Sequence, residues 1–277
     1  MTDSEPAPAK LNLALHVRGR RDDGFHALET LFAFVDRGDV VSVEQNDALS
    51  LTLTGPFAHD LGGGDDNLVL LAARQLQSQA GIAQGAALTL DKRLPVASGI
   101  GGGSADAAAT LRLLDRLWRL DLGIEGLMPI AVALGSDVPA CLLGRTAIGT
   151  GRGERLVPIA NDLAGTPVLI TNPGIALSTA AVFAHWDGID RGALAGGEVS
   201  DMLAHGRNDL AAPARALVPQ IGALLDALIA AGGAHARMSG SGATCFALYD
   251  SEASRDRAAQ SLAREFPQIW TMACRLT

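Results

Sequence analysis

The chain has 277 residues, 48% apolar and 19% charged, with 32 Gly and 12 Pro, a globular balance with room for two modest domains. A net charge of −8 and the lack of any Lys/Arg-dense run argue against a surface that neutralises nucleic-acid phosphates. The acidic N-terminus has no apolar signal core, no apolar run nears the roughly 20 residues that span a bilayer, and Cys141, Cys245 and Cys274 lack zinc spacing, so a soluble, reduced, cytoplasmic protein is expected.

In chain order, residues 39–45 and 49–54 alternate apolar and polar positions and predict two paired strands. Residues 67–79 follow an Asp-Asp pair and carry Leu68, Leu71, Ala72, Gln75 and Leu76 at helical spacing, with Gly81 as the stop. A short strand at 87–91 runs into Lys92-Arg93-Leu94-Pro95 and the glycine-rich stretch 99–103. Residues 107–120 place Leu111, Leu114 and Trp118 on one face of an amphipathic helix. Beyond about residue 158 the texture changes. A strand is expected at 167–171, a helix at 178–186, an irregular glycine-rich loop at 187–200 and an apolar helix at 221–231. A strand at 244–249, a helix at 252–266 and a strand at 269–276 complete the chain. This order predicts an α+β sandwich with helices over an antiparallel sheet, divided as 1–157 and 158–277.

The most distinctive stretch runs from Pro95 through Gly99, Gly101, Gly102, Gly103 and Ser104, between a strand and a helix. Glycines there expose successive backbone N–H groups, and the helix N-terminus adds partial positive charge, so an anion such as phosphate is favoured. The stretch lacks the Lys-Ser/Thr pair of a Walker A loop, and Ser104 stands where a dinucleotide fingerprint needs its last glycine. A tight turn that only packs a helix on a sheet is the plainer alternative.

Two other stretches join it. Pro8-Ala9-Lys10-Leu11-Asn12-Leu13 carries the only cation of the first fifteen residues among small and apolar neighbours, which implies a partly buried lysine in need of an anionic partner. Asn12 shares the face of Lys10 on an extended strand. Met238-Ser239-Gly240-Ser241-Gly242-Ala243-Thr244 is a second glycine loop. Together, and in this order, the three stretches resemble the motifs of the GHMP kinases (galactokinase, homoserine kinase, mevalonate kinase and relatives). Residues 19–32, with Asp23-Gly24-Phe25-His26, resemble the substrate segment of those members that phosphorylate a cytidine diphosphate-linked methylerythritol. Gly135-Ser136-Asp137-Val138-Pro139 resembles their catalytic-aspartate motif. Phe25 stands where that group usually has Tyr, and Ser136 where it usually has Ala.

The resemblance implies a fold with an N-terminal ribosomal-protein-S5-like domain and a C-terminal ferredoxin-like α/β sandwich. It implies ATP-dependent phosphorylation of the 2-hydroxyl of that substrate, in the non-mevalonate route to isoprenoid precursors. Asp137 is then the general base, with Lys10 as its cationic partner and a counter-charge to the transferring phosphoryl group. The glycine-rich stretch holds ATP, Ser104 helps to hold Mg2+ or caps its helix, and Asn67 and Lys92 form the adenine-side wall. Asn12 contacts the acceptor region or makes a structural bond, and His26 meets the base edge between the stacking faces of Phe32 and Phe183, beside Phe25. Gly240, Ser241 and Gly242 line the diphosphate, and Thr179 is a further contact. Asp106 is a second candidate cap. The expected partners are ATP and this small molecule alone, with no nucleic acid and no membrane, in a monomer or weak homodimer. A homoserine- or mevalonate-type kinase, or a non-catalytic binder on the same fold, remains the alternative.

Overall fold

The computed structural model describes residues 2–61, 64 and 66–277. In chain order the elements are β1 (Asp3–Arg20), β2 (His26–Asn46), β3 (Leu49–Thr54), α1 (Leu68–Ala80), β4 (Gly85–Asp91), α2 (Gly102–Trp118), α3 (Gly123–Leu134) and α4 (Val138–Leu143). They continue with β5 (Ala147–Gly151), β6 (Arg155–Pro158), β7 (Pro167–Asn172), α5 (Thr179–Ala184), α6 (Val199–His205), α7 (Ala211–Leu217) and α8 (Gln220–Ala230). The last four are β8 (Ala234–Met238), β9 (Cys245–Leu248), α9 (Glu252–Glu265) and β10 (Trp270–Arg275). The expected α+β class holds.

Two compact units emerge, and each draws on several segments. The first comprises Met1–Ala9, Arg37–Val96 and Gly101–Gly144, the second Lys10–Asp36, Ala97–Ile100 and Arg145–Thr277. The expected division at 157/158 does not describe them. It falls inside β6, and the long strands β1 and β2 carry the chain from one unit to the other.

In the first unit the strand order is β3-β4-β2. The strands at 39–45 and 49–54 were expected to pair with each other, but β4 lies between them. It runs antiparallel to β2, with Val41 opposite Leu90, and parallel to β3, with Leu51 opposite Leu88. Burial explains the order. β4 buries Ala86, Leu88 and Leu90, whereas β3 alternates half-buried and exposed residues, the pattern of an edge. Helix α1 is capped as its sequence predicts: Val69 N–H donates to the Asn67 side chain, and Gly81 closes the helix at φ +63°. Leu76, Leu111, Leu114 and Leu127 are buried core residues of this unit's helices.

In the second unit, β2 pairs with β5, and β5 with β6. A separate four-stranded antiparallel sheet has the order β10-β7-β9-β8. Helices α8 and α9 pack on it, around a core that includes Leu169, Leu224, Leu228, Cys245, Ala258 and Leu262. The sequence reading of the chain beyond residue 158 misses α6, α7 and β8 and finds the remaining elements there. Their apolar residues repeat at one clear period, whereas β8 has two exposed and two half-buried residues before Met238.

Candidate active site

Strand β1 supplies the first group. Lys10 is 2% exposed, and its Nζ donates to Asn12 Oδ1 at 2.8 Å and lies 5.3 Å from the centre of the Phe32 ring. The two residues share a face, as an extended strand requires. Asn12 Nδ2 donates to Thr30 Oγ1 at 2.7 Å, and Thr30 Oγ1 donates to the carbonyl of Ala14. Both ends of the Asn12 amide therefore have protein partners. A structural bond at each end is what the fold gives Asn12.

The two glycine loops meet β1 within the second unit. Ser239 Oγ accepts the Asn12 N–H at 3.1 Å and donates to the carbonyl of Gly99 at 3.1 Å, while Lys10 N–H donates to the carbonyl of Ile100. A Cβ on Gly99 would lie 2.5 Å from the Gly242 carbonyl oxygen, so this approach of two backbones requires glycine. Thr179 and Ser241 hydroxyls are 2.9 Å apart, and Asn208 Nδ2 donates to the carbonyls of Met238 and Gly240, both at 2.8 Å. Asn208 escapes a sequence reading, because a lone Asn in an irregular segment carries no spacing signal.

In the first unit, α2 begins at Gly102, earlier than the expected 107, with Gly101 as its N-cap at φ +67° and no side-chain cap bond. Ser104 thus lies in the first turn, and its expected role as N-cap is corrected. The N–H groups of 102–104 have no partner one turn back, since the first bond of the helix is Ala105 N–H to Gly101 O at 2.8 Å. Asp106 also lies inside the helix and caps nothing. Its Oδ2 accepts from Lys92 Nζ at 2.7 Å. Lys92 is 1% exposed and donates also to Asp39 Oδ2 at 2.6 Å, so its side chain is an internal post and not the expected wall for an adenine. Burial alone would lower the Lys92 ammonium, but Asp106 and Asp39 outweigh it and raise it; burial pushes the Asp106 carboxyl up to about 8 against the pull of Lys92. Asn67 likewise uses its side-chain oxygen on the cap of α1. Pro95 is half-buried at the start of the loop, and Gly103 is exposed. Asp137, half-buried, stands at the N-cap position of α4 with Pro139 in the first turn.

The expected base-binding group only partly assembles. His26 stacks on Phe183 with ring centres 4.7 Å apart and meets the edge of Trp186 at 5.6 Å. Its Nε2 and the Trp186 Nε1 are buried without hydrogen-bond partners among the described residues. Burial, with help from Arg20, holds the imidazole below its usual value, so it is neutral at neutral pH. Phe32 does not join them as a stacking face. It is 1% exposed, and a Cβ on Gly149 would lie 2.6 Å from its ring, so it belongs to the core. Phe25 is 51% exposed, with the Arg152 guanidinium 4.9 Å from its ring centre.

Further along β1, His16 is 1% exposed and went unread in the sequence. Arg207 N–H donates to its Nε2 at 3.3 Å, so Nδ1 carries the proton and donates to the carbonyl of Gly192 at 3.1 Å. Burial, then Arg207, lowers its pKa, against weaker raising by the Gly192 carbonyl, Asp209 and Glu29.

The comparisons can now be set beside this geometry. Residues 67–145 match the family model of the GHMP kinases N terminal domain, and residues 194–268 that of the GHMP kinases C terminal. A 4-diphosphocytidyl-2-C-methyl-D-erythritol kinase of Rhizorhabdus wittichii is 54% identical over 280 residues, covering 100% of this chain and 95% of its own length. The crystal structure of a 4-(cytidine 5'-diphospho)-2C-methyl-D-erythritol kinase superposes with a TM-score of 0.81 at 34% identity, covering 99% of both chains. The homoserine kinase of Cytophaga hutchinsonii, at 20% identity, TM-score 0.76 and coverage of 98% of this chain and 93% of that one, shares the fold alone.

The depressed pKa of His16 fixes the sign of one pH effect. Its contribution to stability is complete above the unfolded value near 6.5 and is lost as pH falls through the lower folded value. Melting midpoints between pH 7.5 and pH 5, bounds chosen to straddle roughly that value, should fall more in the wild type than in His16→Gln. Parallel curves would remove His16 from the acid response.

Proposed function

We propose, from the premise that this chain belongs to the GHMP kinases and within them to the 4-diphosphocytidyl-2-C-methyl-D-erythritol kinases, that it transfers the γ-phosphoryl group of ATP to the 2-hydroxyl of 4-diphosphocytidyl-2-C-methyl-D-erythritol. The observation that carries this reading is identity of 54% to such a kinase over the whole chain. The chain is thus an ATP-dependent kinase of isoprenoid precursor synthesis. Homoserine and mevalonate kinases, at 20% identity or less, support the fold and no substrate.

Each residue has a distinct task in this reading. Phosphoryl transfer needs positioning and charge compensation more than covalent help from the protein. The N–H groups of Gly102, Gly103 and Ser104, at the start of α2, hold the phosphates of ATP. Among the described residues no group of three or more His, Cys, Asp or Glu could hold a metal ion. The Ser104 hydroxyl is the protein group that would help to hold a Mg2+ brought in with the nucleotide. Bound there, Mg2+ supplies neutralisation of phosphate charge. Asp137 accepts the proton of the acceptor hydroxyl. Lys10, oriented by Asn12, offsets charge on the transferring group. Gly240, Ser241 and Gly242 present backbone N–H groups to the substrate diphosphate, with the Thr179 hydroxyl beside them. His26 reads the edge of the base, and Phe183 and the exposed Phe25 offer rings to its faces. The protein works in the cytoplasm on these small molecules.

ADP release from ATP with the cytidine substrate, with homoserine and with mevalonate decides the substrate class, and turnover is expected with the first alone. Asp137→Asn should lower kcat by roughly 10²–10⁴, the range for loss of a general base, with KM values little changed. Near-normal kcat in a folded variant removes Asp137 from the mechanism.

Specificity gives a separate test. Cytosine presents an amino group where uracil presents a carbonyl, and a mismatched buried partner is costly. His26→Ala should lower kcat/KM for the cytidine substrate more than for its uridine analogue. A cytidine-to-uridine ratio equal to that of the wild type is the result that ends base reading by His26.

A further inference from the structure

Lys92, Asp39 and Asp106 have no step in the transfer, yet together they fasten the two flanks of the glycine-rich stretch. On the entry side, Asp39 Oδ1 accepts the backbone N–H groups of Arg93 at 2.6 Å and Leu94 at 2.8 Å. Asp39 Oδ2 accepts from Lys92 Nζ at 2.6 Å. On the exit side the same ammonium donates to Asp106 Oδ2 at 2.7 Å, within the second turn of α2. A Cβ on Gly102 would lie 3.0 Å from Lys92 Nζ, so the ammonium is packed directly beneath the first turn of that helix. All three residues are 2% exposed or less. The second oxygen of Asp106 is buried without a partner among the described residues, and the triad carries one more acid than base.

An apolar cluster would hold two segments together while letting them slide. An ammonium with directed bonds to two buried carboxyl groups sets a distance and an orientation. Here the fixed segments are residues 93–94, which lead into the loop, and 102–106, which lead out of it. We propose that the Lys92–Asp39–Asp106 triad is a positioning device that sets the separation of the two loop ends and so pre-orders the N–H groups of Gly102, Gly103 and Ser104 for nucleotide phosphate. Lys92 acts through the backbone and touches no phosphate. The inference rests on reading this stretch as the ATP phosphate loop.

Calorimetry on the intact protein with two probes, ADP with Mg2+ and cytidine 5'-diphosphate, tests it. Asp106→Leu removes the exit-side acceptor and leaves the balanced pair of Lys92 and Asp39, so folding should survive, as a melting curve will check. The Kd for ADP with Mg2+ should rise about ten- to a hundredfold, the scale on which small misplacements act, while that for cytidine diphosphate stays unchanged. Asp106→Asn keeps an oxygen for Lys92 and should restore most of the ADP affinity. Unchanged ADP affinity in Asp106→Leu overturns the proposal, and so does equal loss for both probes, which marks a general structural role. Gly103→Val, which places a branched side chain at the exposed first turn without a positive φ, separates the two levels. If it abolishes ADP binding while Asp106→Leu does not, only the triad's role falls. If neither variant affects ADP, the reading of the loop falls as well.

Discussion

Two ammonium groups in this chain are almost wholly removed from water, Lys10 at 2% exposure and Lys92 at 1%. Burying a charge without partners costs several kcal/mol, so each must be met by fixed acceptors, and the chain has to be folded to bring them. Around Lys10 these include the Asn12 amide and the Phe32 ring; around Lys92, two carboxylates. The segments that supply those partners are β1, β2 and the first two turns of α2. In the proposed reading the same segments carry residues of the phosphoryl transfer.

Glycine makes the next level possible. At Gly99 the backbone lies so close to the Gly242 carbonyl that no side chain fits, and Gly102 rests on the Lys92 ammonium. Ser239 then links the Gly99 carbonyl to the Asn12 N–H. A phosphoryl-transfer enzyme gains from such rigidity, because N–H groups held in place before binding need no reorganisation as charge shifts.

The group proposed for the substrate base follows a different logic. His26 is kept neutral by burial and held by two aromatic contacts, so it offers one donor and one acceptor in a fixed plane. Phe25 remains half in water beneath the Arg152 guanidinium. In the proposed reading the exposed Phe25 ring is the one open to a base, whereas the fully packed Phe32 is not.

The motifs were legible in the sequence because each depends on local chemistry. Glycine runs, the Lys10-x-Asn12 spacing and the helix of residues 67–79 with its Asn67 start and Gly81 stop follow from backbone sterics and strand or helix period. The motif stretches carried the family resemblance, and the same two periods found most elements beyond residue 158. What escaped was set by partners distant in the chain. β4 displaced the expected pairing of its neighbours because only its side chains could be buried on the central strand. Lys92 is a post because Asp39 lies 53 residues away in sequence and 2.6 Å away in space. Phe32 is core because Gly149 leaves room for its ring, and Asn12 orients Lys10 because Thr30 takes the other end of its amide. A sequence shows which groups need a partner; only the folded chain decides which partner arrives, since burial and direction are properties of packing.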